Sequence, residues 1–275
     1  MSGILYVTGT PIGNLSDLSP RAAKTLAEVD FIAAEDTRVT LKLLNHLGIK
    51  KPMVSYFEHN KRERGEMICA RIEQGGSCAI VTDAGMPCIS DPGEDLIRLC
   101  AERGVQTIVV PGPSTVIAAL AVSGLETGRF CFEGFLSVNK KSRSEHLKSL
   151  QNEHRTMVFY EAPHKLPATL RDLFAAFGNR KLSIVREITK IHEEVIRTTT
   201  SEAADRYTDG CIKGEIVLVL DGKKQEDTEK TYTLADAVAL ARRLLDDGQK
   251  ATEASKNAAV MTGYKKNEIY RELIG

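Results

Sequence analysis

Residues Cys78 to Gly93, CAIVTDAGMPCISDPG, constrain the fold more than any other stretch of the chain. Cys78 to Val81 is a short apolar run that suits a strand buried on both faces. Thr82 and Asp83 end it, and a loop of Asp83, Gly85, Pro87 and Ser90 follows without periodicity. Asp91 then fits a helix N-cap, with Pro92 at the first helical position and Glu94 three residues after the cap. A carboxylate at the carboxyl end of a central strand, before a glycine-containing turn, is where open α/β sheets bind ligands. A plain strand-to-helix connection, in which Gly and Pro only shape the turn, accounts for the same residues equally well.

The preceding chain alternates strand and helix patterns. Strands are expected at Gly3 to Val7, Asp30 to Ala34 and Met53 to Tyr56, with helices from the Ser19-Pro20 start through Val29, at Val39 to Leu47 and at Lys61 to Gln74. Gln106 to Val110 is a further strand, so βαβ units and a parallel sheet follow, with the polar loops at its carboxyl edge. Pro111-Gly112-Pro113-Ser114 reads as a domain junction, and Thr115 to Ser123 as an apolar helix after it. Strands then fall at Phe130 to Phe135, Thr156 to Tyr160, Leu182 to Glu187, Glu194 to Thr200 and Glu215 to Leu220. The run of consecutive strands from Leu182 predicts a mixed or antiparallel sheet. The expected division is 1–112, a parallel-sheet α/β domain; 113–222, a mixed-sheet α/β domain; and 231–275, a small helical tail behind the charged linker Lys223 to Thr231. Three short helical patterns make up the tail: Leu234 to Asp246, Ala251 to Met261 and Asn267 to Leu273.

Composition narrows the chemistry. The 275 residues are 42% hydrophobic, enough for two cores, and carry a formal net charge of zero, so nucleic acid would be met by local patches and not by a global field. The candidate patches are Lys61, Arg62 and Arg64; Lys140, Lys141 and Arg143; and Lys265 and Lys266. No apolar run approaches the ~20 residues that span a bilayer, and Met1-Ser2-Gly3 leads straight into a strand pattern, so a cytoplasmic protein is expected. Six cysteines form no CxxC pair and read as buried reduced thiols; no Cys or His spacing suggests a metal. No GxGxxG, P-loop or GxSxG motif occurs. Taken alone, the residues give a two-domain α/β protein with a polar cleft at its strand ends.

The ordered blocks TGTPIGNLSDLSPRA, AEDTR, SYFEHN, TDAGMPCISDPG, PGPST, FEGFL, FYEAPHKL, REITKIHEE and KGEIVLVL resemble the RsmI family of ribosomal RNA small-subunit methyltransferases. This family lies within the tetrapyrrole (corrin/porphyrin) methylase superfamily. The match runs from about Gly3 to Asp221, and the tail resembles the family's C-terminal extension. Cys88 stands where glycine is expected, Ser137 where proline is usual, and Thr198 where glycine commonly follows arginine.

The resemblance implies S-adenosylmethionine in the cleft between the two α/β domains, held by Pro11, Asp83, Gly85, Met86, Ser114, Thr115, Tyr160, Ala162 and Gly214. It also implies methyl transfer to the 2′-oxygen of a cytidine ribose in 16S rRNA of the small ribosomal subunit, by a homodimer. Asp83 has the charge for a nearby cation, Gly85 allows close backbone approach, and Ser114 and Thr115 open a helix whose amides suit a carboxylate. A ribose hydroxyl is a weak nucleophile that must be aligned and relieved of its proton. Asp36 and His59 are the candidates beside it and Arg38 the candidate for a phosphate, while an internal salt bridge and helix cap would use the same Glu-Asp-Thr-Arg residues. A sister enzyme acting on a tetrapyrrole or a diphthamide precursor, and a non-catalytic RNA-binding protein with a vestigial cleft, are the competing readings.

Overall fold

The first five strands run parallel in the computed structural model, in the order β3-β2-β4-β1-β5. They are β1 (Ile4–Thr8), β2 (Phe31–Ala34), β3 (Met53–Ser55), β4 (Cys78–Val81) and β5 (Gln106–Val110). Residues 3–91, 93–208, 212–224 and 233–274 are described; Pro92, Cys211 and most of the expected linker lie outside them. β4 is central and all four of its residues are buried. Its alternation feeds two cores. Cys78 and Ile80 meet α3 (Lys61–Glu73) and α4 (Gly93–Glu102) on one face; Ala79 and Val81 meet α1 (Pro20–Glu28) and α2 (Thr37–His46) on the other.

Local chemistry sets the helix starts. Ser19 Oγ accepts the Ala22 N–H at 3.0 Å, and Asp36 Oδ1 accepts that of Arg38 at 2.8 Å. Asp91 takes the N–H groups of both Gly93 and Cys88 at 2.8 Å, closing the loop before α4 from both sides. Glu94 does not return a bond to complete a capping box among the described residues; its carboxylate pairs with Arg98 one turn on, at 2.9 Å. A 3-10 turn at Leu15–Asp17, capped by Asn14, was not legible in the sequence.

The chain leaves β5 through Pro111 to Ser114 and enters α5 (Thr115–Ser123), which packs on the second sheet through Val116, Ala119 and Leu120. That sheet has the order β6-β7-β10-β8-β9. Its strands are β6 (Phe130–Phe135), β7 (Thr156–Glu161), β8 (Lys181–Arg186), β9 (Glu194–Thr199) and β10 (Ile216–Leu220). Only the β6–β7 pair is parallel, so the sheet is mixed, as the run of strands predicts. Val217 and Val219 of the central β10 face α5. Ile216, Leu218 and Leu220 face α6 (Lys140–Ser149), α7 (Leu166–Phe177) and α8 (Thr200–Arg206).

Residues up to Lys223 form one compact unit and Lys224 onward a second. The second unit holds α9 (Leu234–Asp246), α10 (Ala251–Thr262) and α11 (Lys266–Ile274). Thr233 and Asp236 cap α9 reciprocally. Its small core is Ala237, Ala241, Ala258 and Ile269. Cys69, Cys78, Cys88, Cys100 and Cys131 are free thiols, and no acidic, Cys or His cluster suited to a metal occurs among the described residues.

Candidate active site

The carboxyl ends of β1, β4 and β5 are bound together by backbone. Thr10 and Gly85 exchange N–H···O=C bonds of 2.9 and 3.2 Å, and the Thr10 hydroxyl donates to the Thr82 carbonyl at 3.2 Å. Gly9 and Gly112 touch so closely that a Cβ on Gly9 would stand 2.6 Å from the Gly112 Cα. The Gly112 N–H points at Met86 Sδ, 3.2 Å away. Gly85 has φ +89°, a conformation in which a side chain is strained. The proline loop, the aspartate-glycine loop and the PG turn, distant in sequence, thus form one rigid rim.

Beside this rim lies a cavity of about 180 Å³ between the two sheets. Its first-domain wall includes Glu35, Thr82, Gly85, Met86, Ile89, Ser90 and Asp91; Ser114 and Thr115 stand at the junction, and Phe135 and Tyr160 close it from the second domain. Ser114 caps α5 by accepting the Ile117 N–H, and Ser114 and Thr115 bring the N-terminus of that helix to the cavity wall. Burial raises the Tyr160 phenol pKa, opposed by a hydrogen bond with Thr115.

Carboxylates concentrate at the ends of β2 and β4. Glu35 Oε2 accepts from the Thr82 hydroxyl at 2.5 Å and more weakly from the Asp83 N–H at 3.4 Å. Asp83 Oδ1 accepts the Asp36 N–H at 3.1 Å. Burial, reinforced by the Glu35 charge, pushes the Asp83 carboxyl above the range of an ordinary aspartate. Burial also raises Asp91, although the Gly93 and Cys88 N–H groups oppose it.

The residues expected in the site are distributed unevenly. Gly85, Met86, Ser114, Thr115 and Tyr160 line the cavity; Asp83 does not, although its neighbours Thr82 and Ala84 do, and its carboxylate is turned to the Asp36 N–H at the β2 end. Pro11 follows the Thr10–Gly85 bridge. Ala162 sits just past β7, its N–H held by the buried Glu161 carboxylate at 2.8 Å. Gly214 has φ +94°, and a Cβ there would collide with the Glu187 side chain.

None of Asp36, Arg38 and His59 lines the cavity. Asp36 caps α2 and takes a forked pair of bonds from Arg38, of which Nη2 to Oδ2 is 2.6 Å. Arg38 thereby holds the Asp36 carboxyl down to about 2, which makes it a weak proton acceptor. The salt-bridge-and-cap alternative therefore describes these two residues, and Glu35 is the member of the Glu-Asp-Thr-Arg cluster that reaches the cavity. His59 is exposed after the edge strand β3, edge-on to Phe57 at 6.1 Å. Two of the basic patches are partly neutralised: Lys61 pairs with Glu58 and Asp95, and Arg143 with Asp172. Glu35 and Thr82 each follow the last residue of a strand and Phe135 ends one, which was the available signal for them.

The structure thus has two α/β sheets, one parallel and one mixed, with a polar cavity between them. The family model described as Tetrapyrrole (Corrin/Porphyrin) Methylases matches residues 4–204, and the chain belongs to that family. Ribosomal RNA small subunit methyltransferase I of Synechocystis sp. is 44% identical over 270 residues, covering 98% of this chain and 96% of that protein. The Thermotoga maritima protein of the same name is 48% identical over 222 residues, covering 81% of this chain and all of its own length. These two are RsmI proteins, the branch that the nine motif blocks resemble. Among solved structures, uroporphyrin-III C-methyl transferase from Thermus thermophilus, complexed with S-adenyl homocysteine, aligns with TM-score 0.54 at 16% identity, over 80% of this chain and 97% of that one.

Proposed function

We propose that the protein is an S-adenosylmethionine-dependent methyltransferase that modifies the 2′-oxygen of a cytidine ribose in 16S rRNA of the small ribosomal subunit. The observation that carries this reading is the rim: the loops bearing TGTPIGN, TDAGMP and PGPST are hydrogen-bonded or packed together around one polar cavity. When bound there, S-adenosylmethionine supplies an electrophilic methyl group on a sulfonium cation.

The donor set fits such a group. Asp83 and Glu35 present negative charge to a cation, and the N-terminus of α5 with Ser114 and Thr115 presents amides and hydroxyls to a carboxylate. Gly85 and Met86 offer backbone and a polarisable thioether at close range, and Tyr160 an aromatic wall. Pro11, Ala162 and Gly214 hold the loops that frame the site. Glu35 is the carboxylate placed to take the hydroxyl proton: its Oε2 is engaged, while Oε1 has no protein partner among the described residues. Arg38 and His59 stand on the outer edge, where the acceptor strand enters, with Lys140 and Lys141 as further exposed cations.

The acting form is a homodimer in the cytoplasm. Support for pairing comes from Val109 on the edge strand β5 and Ile117 on α5, 54% and 53% exposed, with Val122 on the same helix. No helix among the described residues is long and apolar enough to cross a membrane. Incubating the protein with labelled cofactor and either intact small subunits or free 16S rRNA tests the reading. It predicts base-resistant label in the RNA of one of the two, and label in neither overturns it.

A further inference from the structure

The mouth of the cavity carries two exposed apolar side chains from different domains, Phe135 and Ile89, 62% and 60% exposed. Neither is exposed by accident of a loose loop. In a regular strand, residues three apart face opposite sides. Phe132 and Phe135 nevertheless both pack on Tyr160, with ring centroids at 4.9 and 5.4 Å. A bulge between Phe132 and Gly134, with Gly134 at φ +62°, turns Phe135 back to the face of Phe132. Bulges of this kind re-aim a side chain beside a functional site.

Ile89 is held out by a second device. Its neighbours Cys88 and Ser90 have φ of 70° and 65°, a left-handed conformation that costs non-glycine residues conformational energy and clusters at functional sites. Asp91 holds this turn through the Cys88 N–H, and Ser90 Oγ lies 3.6 Å from where a Cβ on Gly134 would stand. The strained turn therefore abuts the bulge, and Phe135 and Ile89 share one cavity mouth.

Side chains recognise RNA mainly at single-stranded nucleotides whose unstacked bases splay out, and such a base stacks on a flat aromatic or apolar partner. A recessed cavity with exposed apolar side chains at its mouth suits an acceptor nucleotide presented in that way. We propose that Phe135 stacks on the pyrimidine of the acceptor nucleotide while Ile89 closes over its other face, positioning the 2′-oxygen at the cavity. This rests on the rRNA methyltransferase reading above. Phe135 and Ile89, at the mouth of that cavity, act as positioning residues for the acceptor.

The test compares Phe135→Ala, Phe135→Leu, Phe135→Tyr and Ile89→Ala, measuring kcat and KM for methylation of small subunits, cofactor affinity by calorimetry, and oligomeric state. Loss of one base–aromatic stack predicts a fall in kcat/KM of about tenfold to a hundredfold in Phe135→Ala, carried mainly by the subunit KM. Phe135→Leu retains bulk without a ring and is expected to stay impaired, Phe135→Tyr to recover, and Ile89→Ala to be impaired less. Cofactor affinity and oligomeric state are expected to match wild type throughout. Wild-type efficiency in Phe135→Ala or Phe135→Leu would overturn the stacking role. Parallel loss of cofactor affinity would make Phe135 a cofactor wall, and loss of the oligomer an interface residue; either overturns the proposal. Absence of transfer by wild type itself removes the underlying reading, and so is distinguishable from all of these.

Discussion

Replacing Asp83 by Asn isolates the charge at the rim from its geometry. Asp83 Oδ1 accepts the Asp36 N–H at 3.1 Å, and an amide oxygen can keep that bond, so the β2 and β4 ends stay joined. The other carboxylate oxygen becomes an NH₂ donor, which opposes a cation where the aspartate attracted it. A hydrogen bond to a charged group contributes about 1.5–3 kcal/mol, which corresponds to a dissociation constant for S-adenosylmethionine raised about tenfold to about 150-fold. Glu35 remains beside it through Thr82 and retains part of the local field, which favours the lower end. Calorimetric titration of both proteins reads the ratio directly, and thermal unfolding checks that the variant is folded. S-adenosylhomocysteine lacks the sulfonium charge, so its affinity is expected to fall less. A folded Asp83→Asn protein with wild-type affinity for both compounds would refute the electrostatic reasoning.

Three further outcomes are expected. Gly112→Ala would place a Cβ 2.8 Å from the Gly9 Cα; overpacking of this kind costs about 1–3 kcal/mol, so thermal unfolding should occur at lower temperature and cofactor affinity should fall with it. Because burial and Glu35 raise the Asp83 carboxyl above an ordinary aspartate, its charge is lost on acidification earlier than that of a solvated one. Calorimetry across mildly acidic pH should then show affinity falling in wild type and changing less in Asp83→Asn. Truncation after Gly222 removes the helical unit. If the tail holds rRNA, the truncated protein keeps cofactor affinity and loses subunit affinity, with a shallower salt dependence because fewer phosphates are contacted. Unchanged subunit binding would take the tail out of recognition.

Much of this fold was readable because its strands are punctuated. Cys78–Val81, Gln106–Val110 and Thr115–Ser123 have the bounds that their apolar runs and turn residues imply. Of the positions that the family resemblance implies, Gly85, Met86, Ser114 and Thr115 line the cavity. The rest depends on non-local geometry. Glu35 and Asp36 are adjacent, yet Glu35 turns to Thr82 and the cavity while Asp36 is taken by the start of α2 and Arg38. His59 follows β3, and only the strand order β3-β2-β4 shows that β2 separates it from the central strand. Phe135 depends on a bulge, and a strand's alternation in sequence gives no sign of one. Glu94 had the capping-box spacing, but Arg98 competes for its carboxylate.

The central claim is the identity of the methyl acceptor, and nucleoside analysis tests it most directly. Small subunits lacking the modification would be incubated with the protein and deuterated-methyl S-adenosylmethionine, and their 16S rRNA digested to nucleosides for mass spectrometry. A deuterated methyl group on the ribose of cytidine is expected, absent when the protein is omitted. Label on a base, on another nucleoside, or nowhere in the RNA would contradict it.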